Sequence, residues 1–276
     1  MIEKLKRRKS LFLILSLSLL IAFTMTTAAA ATEGKVYQGY FENPDYSAKE
    51  LFLQEDSQTK ITPIVQEVAD EIDGGKSLST LGNIYEKTQE IIPYDREKDT
   101  GVGDFTTSAT ELIKRGFSYG CNNYATLFVT LARAKGIPTV LVNAAELDWL
   151  GEFRKQVKNG ERIDYFAGHA FAECYVDGEW HLVDPSSGEL YKDYDKTNLS
   201  IPKRMGYIVY AKSLSQREQG FEDHGDFMVE AFKGKDIKYK DPGYNKVDLT
   251  SIKTKREKLM GYGVIGLILL GALAAN

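Results

Sequence analysis

Apolar residues recur at helical spacing in two segments of the first third of the chain. The first segment, residues 61–72, stops at the pair Gly74-Gly75. The second segment, residues 78–91, ends shortly before Pro93. Gly pairs end helices, and proline disfavours helical backbone in the residue before it. Both segments are therefore predicted to be scaffold helices.

Two more helices are predicted between residues 108 and 136. Ser108 and Glu111 have the S-x-x-E spacing of a capping box, and Gly116 follows as a helix end. The next helix is predicted to begin at about Cys121, to carry an apolar stripe and to stop before Pro138. Its first turn contains a cysteine.

The pattern changes to strands after Pro138. Residues 139–144 are rich in valine and leucine, and residues 170–176 and 179–183 flank the pair Asp177-Gly178. An Asp-Gly pair is the strongest short-range hairpin signal, because both central residues of a type I′ turn need positive φ. Helices followed by an antiparallel sheet predict an α+β fold.

Both ends of the chain are apolar. Residues 1–31 have a basic start, an apolar run and small residues that offer a cleavage site, which is typical of a signal peptide; an uncleaved anchor is the alternative. Residues 259–275 carry no charge and are predicted to be a C-terminal transmembrane segment, with a terminal helix buried against the domain as the alternative. The predicted organisation between them is a polar lead-in at 32–60, a domain at 61–250 and a basic linker at 251–258.

The composition and the net charge of the chain argue against some classes of function. Of the 276 residues, 43% are hydrophobic, as expected for a globular protein with a substantial core. The formal net charge is -4, and removal of the basic signal leaves a net charge of roughly -8. This charge disfavours nucleic-acid binding.

The chain contains only two cysteines and three histidines, so few residues could act as a nucleophile and its base. Cys121 follows a glycine and opens a helix, where free backbone N–H groups and the helix dipole stabilise a thiolate. The backbone N–H at this position can also help to hold an oxyanion. Cys121 is therefore the candidate nucleophile.

The predicted hairpin identifies the partners of Cys121. With a two-residue loop, Val176 opposes Glu179, and side-chain alternation places His169 and Asp184 on one face as diagonal neighbours. An imidazole next to a carboxylate is the arrangement that activates a thiol. A three-residue loop would place the two side chains on opposite faces.

The same register directs Cys174 and His181 to the other face, where we expect an inert buried thiol and a structural or surface histidine. His224 lies in a polar stretch and is predicted to be in a loop. In an oxidising compartment, a Cys121-Cys174 disulfide is the main alternative to a free nucleophile. No His or Cys pair has the close spacing of a zinc site, so no metal is expected.

Two stretches resemble the transglutaminase-like superfamily. YGCNNYATLFVTLARAKGIPTVLVN (119–143) is similar to its cysteine motif, and GHAFAECYVDGEWHLVDPSSG (168–188) is similar to its histidine and aspartate motifs. The motif core therefore covers residues 119–188. The resemblance implies a papain-like core, with Cys121 as nucleophile, His169 as general base and acid, and Asp184 as the residue that orients the imidazole.

This sequence departs from the family pattern at two positions. Phe171 stands where the family often has tryptophan, and Asn122 stands where animal transglutaminases have tryptophan. The second departure weakens a claim of protein crosslinking. The resemblance also implies an upstream side chain that assists the oxyanion, for which Tyr94 and Tyr119 are candidates.

The sequence thus predicts an exported thiol enzyme that acts on amide or peptide bonds through a thioester, as a protease, amidase or acyl transferase. The enzyme would be anchored at the cell surface or secreted. Its substrates would be proteins or peptides, such as cell-wall peptides. The apolar ends of the chain would make the contact with the membrane. No cofactor is needed for this chemistry, and no calcium-loop pattern is present. The alternative is a non-catalytic surface binding or assembly module that retains the fold.

Overall fold

The computed structural model describes residues 35–98, 104–161, 166–202, 206–220, 231–232 and 234–252. The predicted signal at 1–31, most of the basic linker, the apolar segment 259–275 and His224 lie outside these residues. The chain divides into a short unit, Met1–Lys35, and a larger unit from Val36 onward, which contains every element described below. Within the described ranges, no helix has both the length and the apolar character needed to cross a membrane.

Five α-helices are described, and four of them match the helices predicted from the sequence. Ser108 and Glu111 form the predicted capping box, and Gly116 ends its helix in the left-handed conformation. The fifth helix follows a strand directly and was not predicted. The helices are α1 (Pro63–Asp70), α2 (Leu78–Ile91), α3 (Ala109–Arg115), α4 (Cys121–Ala134) and α5 (Leu147–Asn159).

Seven described strands form one antiparallel sheet in the order β5-β6-β1-β2-β3-β4-β7. The three predicted strands correspond to β1, β2 and β3. The remaining strands come from the last third of the chain and extend the sheet at both edges. The strands are β1 (Thr139–Glu146), β2 (Gly168–Val176), β3 (Glu179–Asp184), β4 (Glu189–Lys192), β5 (Ser200–Ile201), β6 (Tyr207–Ser213) and β7 (Asn245–Asp248).

The β2-β3 hairpin has the predicted register. Val176 pairs with Glu179, and the ladder continues to the pair Ala172 and Val183. Asp177 and Gly178 form the two-residue loop with φ values of 52° and 91°, as a type I′ turn requires. Because this register holds, His169 and Asp184 lie at the same end of the hairpin.

Three hydrophobic clusters pack around the sheet, and the third contains Trp149, Leu150 and Phe153 of α5. On one face the sheet packs against α4, whose Leu127, Phe128 and Leu131 are fully buried together with Ala172 and Cys174 of β2. The opposite face is covered by a second cluster. A mixture of helices and one antiparallel sheet confirms the predicted α+β class.

The N-terminal lead-in is more ordered than its polar pattern predicted. A short 3₁₀ helix spans Lys49–Leu53, and its Phe52 is buried against Trp180 with ring centroids 5.2 Å apart. Val36 is buried in the same cluster. Isolated aromatic residues without a period gave no helix or strand signal, yet their burial anchors this segment to the sheet.

Candidate active site

The structure brings Cys121, His169 and Asp184 together. Cys121 is the first residue of α4, His169 lies near the start of β2, and Asp184 is the last residue of β3. His169 contacts both of the others: its ring hydrogen-bonds to the Cys121 side chain, and its Nε2 lies 3.0 Å from Asp184 Oδ2. The imidazole therefore connects the thiol and the carboxylate.

Asp184 is fully buried, and local hydrogen bonds hold its second oxygen. Oδ1 accepts from the Ser186 hydroxyl at 2.7 Å and from the backbone N–H groups of Ser186 and Ser187 at 3.0 and 3.3 Å. These donors fix the carboxylate, so Oδ2 is presented to His169 in one orientation.

Ser186 also lies beside the imidazole, with its Oγ 3.3 Å from His169 Nε2. Because the hydroxyl proton of Ser186 goes to Asp184, Oγ can only accept from the Nε2–H group. Nε2 is then the protonated nitrogen that faces Asp184, which leaves Nδ1 for the thiol.

Aromatic rings enclose the imidazole. The centroids of Phe171 and Tyr207 lie 4.8 and 5.7 Å from that of His169. The Tyr207 hydroxyl donates to Glu146 Oε1 at 3.1 Å, which holds the tyrosine in place. Since only 13% of the His169 side chain is exposed, its hydrogen bond to Asp184 is shielded from water.

The interaction between Cys121 and His169 changes the pKa of both groups. Burial by itself would raise the pKa of Cys121, but the His169 imidazolium, its hydrogen bond and a backbone hydrogen bond from Ala170 lower this pKa. Burial likewise opposes the charge on His169, yet the Cys121 thiolate and the hydrogen bonds to Asp184 and Cys121 raise the pKa of His169 to about 9. Both shifts favour a thiolate-imidazolium pair over the neutral thiol and imidazole.

A polar network fixes the start of α4. Asn123 is buried, and its Oδ1 accepts from the backbone N–H of Tyr119 at 2.9 Å and from Arg115 Nη2 at 2.8 Å. Arg115 and Asn123 both donate to Asp104 Oδ2, at 2.8 and 3.1 Å. The segment before Cys121 is thereby held against the helix.

The other predicted residues lie elsewhere. Cys121 and Cys174 are both free thiols, so the alternative of a disulfide between them is wrong. Burial raises the pKa of Cys174 to about 12, with Thr139 Oγ1 3.9 Å from its sulfur.

His181 pairs with Cys174 across the hairpin and is 8% exposed. In the described part of the chain, no group of three His, Cys, Asp or Glu residues could hold a metal ion.

The two tyrosines predicted to assist an oxyanion lie upstream of Cys121. Tyr94 is 50% exposed and forms a parallel β-bridge with Ser118. The Tyr119 ring packs against Phe117, and the Arg115 guanidinium lies 4.4 Å from its centroid. Their role toward an oxyanion stays a prediction.

Sequence reasoning missed three residues around the site. Ser186 could have been found, because Asp184-Pro185-Ser186 has the spacing of an Asx turn. Tyr207 and Gln216 follow a long connection after β4, and no local pattern indicates that they return to the site. Gln216 Nε2 donates to Asn122 Oδ1 at 2.9 Å, directly beside the nucleophile position.

Part of this chain matches a known protein family. Residues 66–185 match the model of the transglutaminase-like superfamily. This match confirms the resemblance predicted from the motifs, and the matched residues include Cys121, His169 and Asp184. No curated protein matches the chain.

One solved structure with similarity to this chain is the crystal structure of a "Putative Cysteine Protease" from Cytophaga hutchinsonii. The sequence identity is 18% and the TM-score is 0.38. The aligned part covers 60% of this chain and 47% of that chain, so the aligned region spans about half the length of that protein.

Proposed function

We propose that this protein is a thiol enzyme that cleaves or transfers acyl groups at amide or peptide bonds through a thioester. Cys121 is the nucleophile, His169 the general base and acid, and Asp184 the residue that orients the imidazole. The observation that carries the proposal is the contact of one imidazole with both the thiol and a buried carboxylate. The transglutaminase-like match over residues 66–185 supports the same chemistry.

The reaction follows from the protonation states at the site. The Cys121 thiolate attacks the acyl carbon, a C–S bond forms, and the carbonyl electron pair moves to the oxygen. When the intermediate collapses, His169 gives its proton to the leaving amine and a thioester remains. His169 then removes a proton from the incoming acceptor, which attacks the thioester and releases the thiolate. Water as acceptor gives hydrolysis, and an amine gives acyl transfer.

In this mechanism, Asp184 contributes to the reaction only through His169. Its buried carboxylate accepts from Nε2, so the ring keeps the orientation that presents Nδ1 to the thiol, and the imidazolium is stabilised. Phe171 and Tyr207 exclude water from this hydrogen bond. The three groups therefore supply one nucleophile and one reversible proton carrier.

The proposal includes export and cell-surface substrates, which are supported by the signal-like sequence of residues 1–31 and the apolar segment 259–275. A cell-wall peptide or another surface protein would then supply the acyl group. Fractionation of producing cells, with the N-terminus of the product determined by mass spectrometry, tests this part. A full-length product that remains in the cytoplasm would contradict it.

Acyl-enzyme formation tests the chemistry without a known substrate. Purified protein is mixed with 4-nitrophenyl acetate, and a burst of one 4-nitrophenolate per molecule is expected, with the acetyl group trapped on Cys121 by acid quenching. Cys121→Ala is the negative control and Cys174→Ala the matched positive control. A burst that persists in Cys121→Ala would contradict the proposal, as would the absence of a burst in the wild-type protein.

A further inference from the structure

Space is open beside the start of α4, because a Cβ atom added at residue 120 would meet no atom within 4 Å. The N-cap residue of α4 is Gly120, which has no side chain, so no side chain caps the first turn. The Gly120 carbonyl accepts from the N–H groups of Asn123 and Tyr124, at 3.2 and 3.3 Å. The N–H group of Cys121 precedes these bonds and lies at the positive end of the helix.

Asn122 follows Cys121 in this first turn and is partly exposed. Helical side chains tilt toward the N-terminus of their helix, so the Asn122 amide is directed toward the end that carries the thiol. Its Oδ1 is bound by Gln216 Nε2 at 2.9 Å. With the oxygen held there, the Nδ2 group is the end of the amide turned away from Gln216, and it carries two N–H donors.

Gln216 is itself fixed in the protein interior. Its side chain is fully buried, and its backbone N–H donates to Gln58 Oε1 at 3.1 Å. Gln58 in turn donates to the carbonyl oxygens of Phe105 and Thr107, at 2.9 and 3.3 Å. The Oε1 atom of Gln216 has no hydrogen-bond partner among the described residues.

The orientation of the Gln216-Asn122 amide pair decides which end of the Asn122 side chain stays free. In the observed orientation the unpartnered group is the Gln216 oxygen, at a cost of about 1–3 kcal/mol. The opposite orientation of the pair would use the Gln216 oxygen as acceptor and consume the Nδ2 donor of Asn122. The observed orientation keeps that donor available at the helix start.

We propose that the Asn122 side-chain amide and the Cys121 backbone N–H form the oxyanion-binding site of this enzyme. Asn122 is then a catalytic residue, and Gln216 is a positioning residue that acts through it. This inference rests on the proposed function. It assigns to Asn122 the role that the family resemblance left to Tyr94 or Tyr119.

The predicted step is formation of the tetrahedral intermediate. As the thiolate of Cys121 forms the C–S bond, the carbonyl π electrons move to the oxygen, which accepts from Asn122 Nδ2–H and Cys121 N–H. The electron pair then re-forms the carbonyl and expels the leaving group, which is 4-nitrophenolate when 4-nitrophenyl acetate is the probe. Neither amide gains or loses a proton.

Two reagents separate this role from thiol activation. Acylation by 4-nitrophenyl acetate builds an oxyanion, whereas alkylation by iodoacetamide displaces iodide and builds none. For Asn122→Ala we expect the acylation rate to fall roughly 100- to 1,000-fold, while the alkylation rate of Cys121 stays within about twofold of wild type. Should Asn122→Ala not fold, Asn122→Leu removes both N–H donors and keeps a side chain of similar size.

Gln216→Met tests the positioning role, because it keeps the side-chain length and removes the donor to Asn122. We expect a roughly tenfold loss in acylation rate with unchanged alkylation, and no further loss when Gln216→Met is added to Asn122→Ala. Tyr94→Phe and Tyr119→Phe, which keep the rings, are expected to acylate at the wild-type rate.

The possible failures are distinguishable. If wild-type Cys121 is neither acylated nor alkylated, the proposed function itself fails. If the wild-type protein is acylated and Asn122→Ala reacts within about threefold of it, only the assignment of Asn122 is overturned. A loss confined to Tyr94→Phe or Tyr119→Phe would transfer the oxyanion role to that tyrosine.

Discussion

The Nε2 atom of His169 lies 3.0 Å from Oδ2 of Asp184, and this carboxylate is fully buried. The two residues come from different strands and meet because the Asp177-Gly178 turn fixes the register of the hairpin. A buried carboxylate that faces one ring nitrogen leaves the other nitrogen to face the thiol. Several predictions about reactivity depend on this contact.

Asp184→Asn is expected to lower acyl transfer by about 100- to 10,000-fold, because an amide neither stabilises the imidazolium nor fixes the ring tautomer. The pKa of His169 should fall, since the hydrogen bond and charge of Asp184 help to raise it to about 9. Stopped-flow measurement of the 4-nitrophenolate burst checks the rate. A burst of wild-type rate and amplitude would mean that Asp184 does not act on the imidazole.

Ser186→Ala separates the carboxylate from its supporting hydroxyl. The backbone N–H groups of Ser186 and Ser187 still hold Asp184 Oδ1 in this variant. We expect the free energy of unfolding to fall by about 1 kcal/mol and the burst rate to fall by no more than about tenfold. Urea denaturation and the same burst assay measure the two effects. A loss as large as that of Asp184→Asn would show that the hydroxyl itself takes part in the reaction.

Cys174 should react only in the unfolded protein. It is buried on the helix-packed face, and burial raises its pKa to about 12. Iodoacetamide should therefore label Cys121 in the native protein and both cysteines in concentrated urea, as mapped by peptide mass spectrometry. Native labelling of Cys174 at a rate near that of Cys121 would contradict the described packing.

The buried ion pair between Lys212 and Glu173 lies on the face of the sheet opposite to Cys174. We expect it to affect the stability of the protein and not its activity. Lys212 Nζ lies 2.6 Å from Glu173 Oε1, both side chains are fully buried, and Tyr46 and Tyr194 donate to the same carboxylate. Lys212→Met should lower the free energy of unfolding by about 3–5 kcal/mol, because it leaves a buried charge without its partner.

The double variant Lys212→Met with Glu173→Gln is the control for that loss, because glutamine removes the charge and keeps an acceptor for Tyr46 and Tyr194. Removal of both charges should recover much of the stability, since no unpaired ion remains. Urea denaturation curves of the single and double variants provide the comparison. Equal stability of the wild-type protein and Lys212→Met would show that the pair does not form.

The local part of the site could be predicted from the sequence because short-range signals encode it. The cysteine helix has a clear start and apolar stripe, and the Asp177-Gly178 turn determines which residues share a face with His169. The capping box of Ser108 and Glu111 is another local signal that the structure confirms. Each of these features spans only a few residues of chain.

The rest of the site depends on pairings between distant segments. β6 pairs with β1 across about 65 residues of chain, and this pairing brings Tyr207 to His169 and leads to Gln216 beside Asn122. The Lys212-Glu173 contact has the same origin. A pattern of apolar positions contains no information on which strands become neighbours, so these contacts could not be predicted from the sequence.

The most direct test of the central claim is the pH dependence of Cys121 alkylation by iodoacetamide. The His169 imidazolium persists up to its pKa of about 9 and stabilises the thiolate below that pH. In His169→Ala, burial acts without this opposing charge and raises the thiol pKa. The control is His181→Ala, which changes the histidine on the other face of the hairpin.

We expect wild-type Cys121 and the His181→Ala variant to be labelled rapidly below the ordinary thiol pKa of about 8.5, and His169→Ala to require a higher pH. An unreactive Cys121 below this pH in the folded wild-type protein would contradict the account. So would a labelling profile that stays the same when His169 is replaced by alanine.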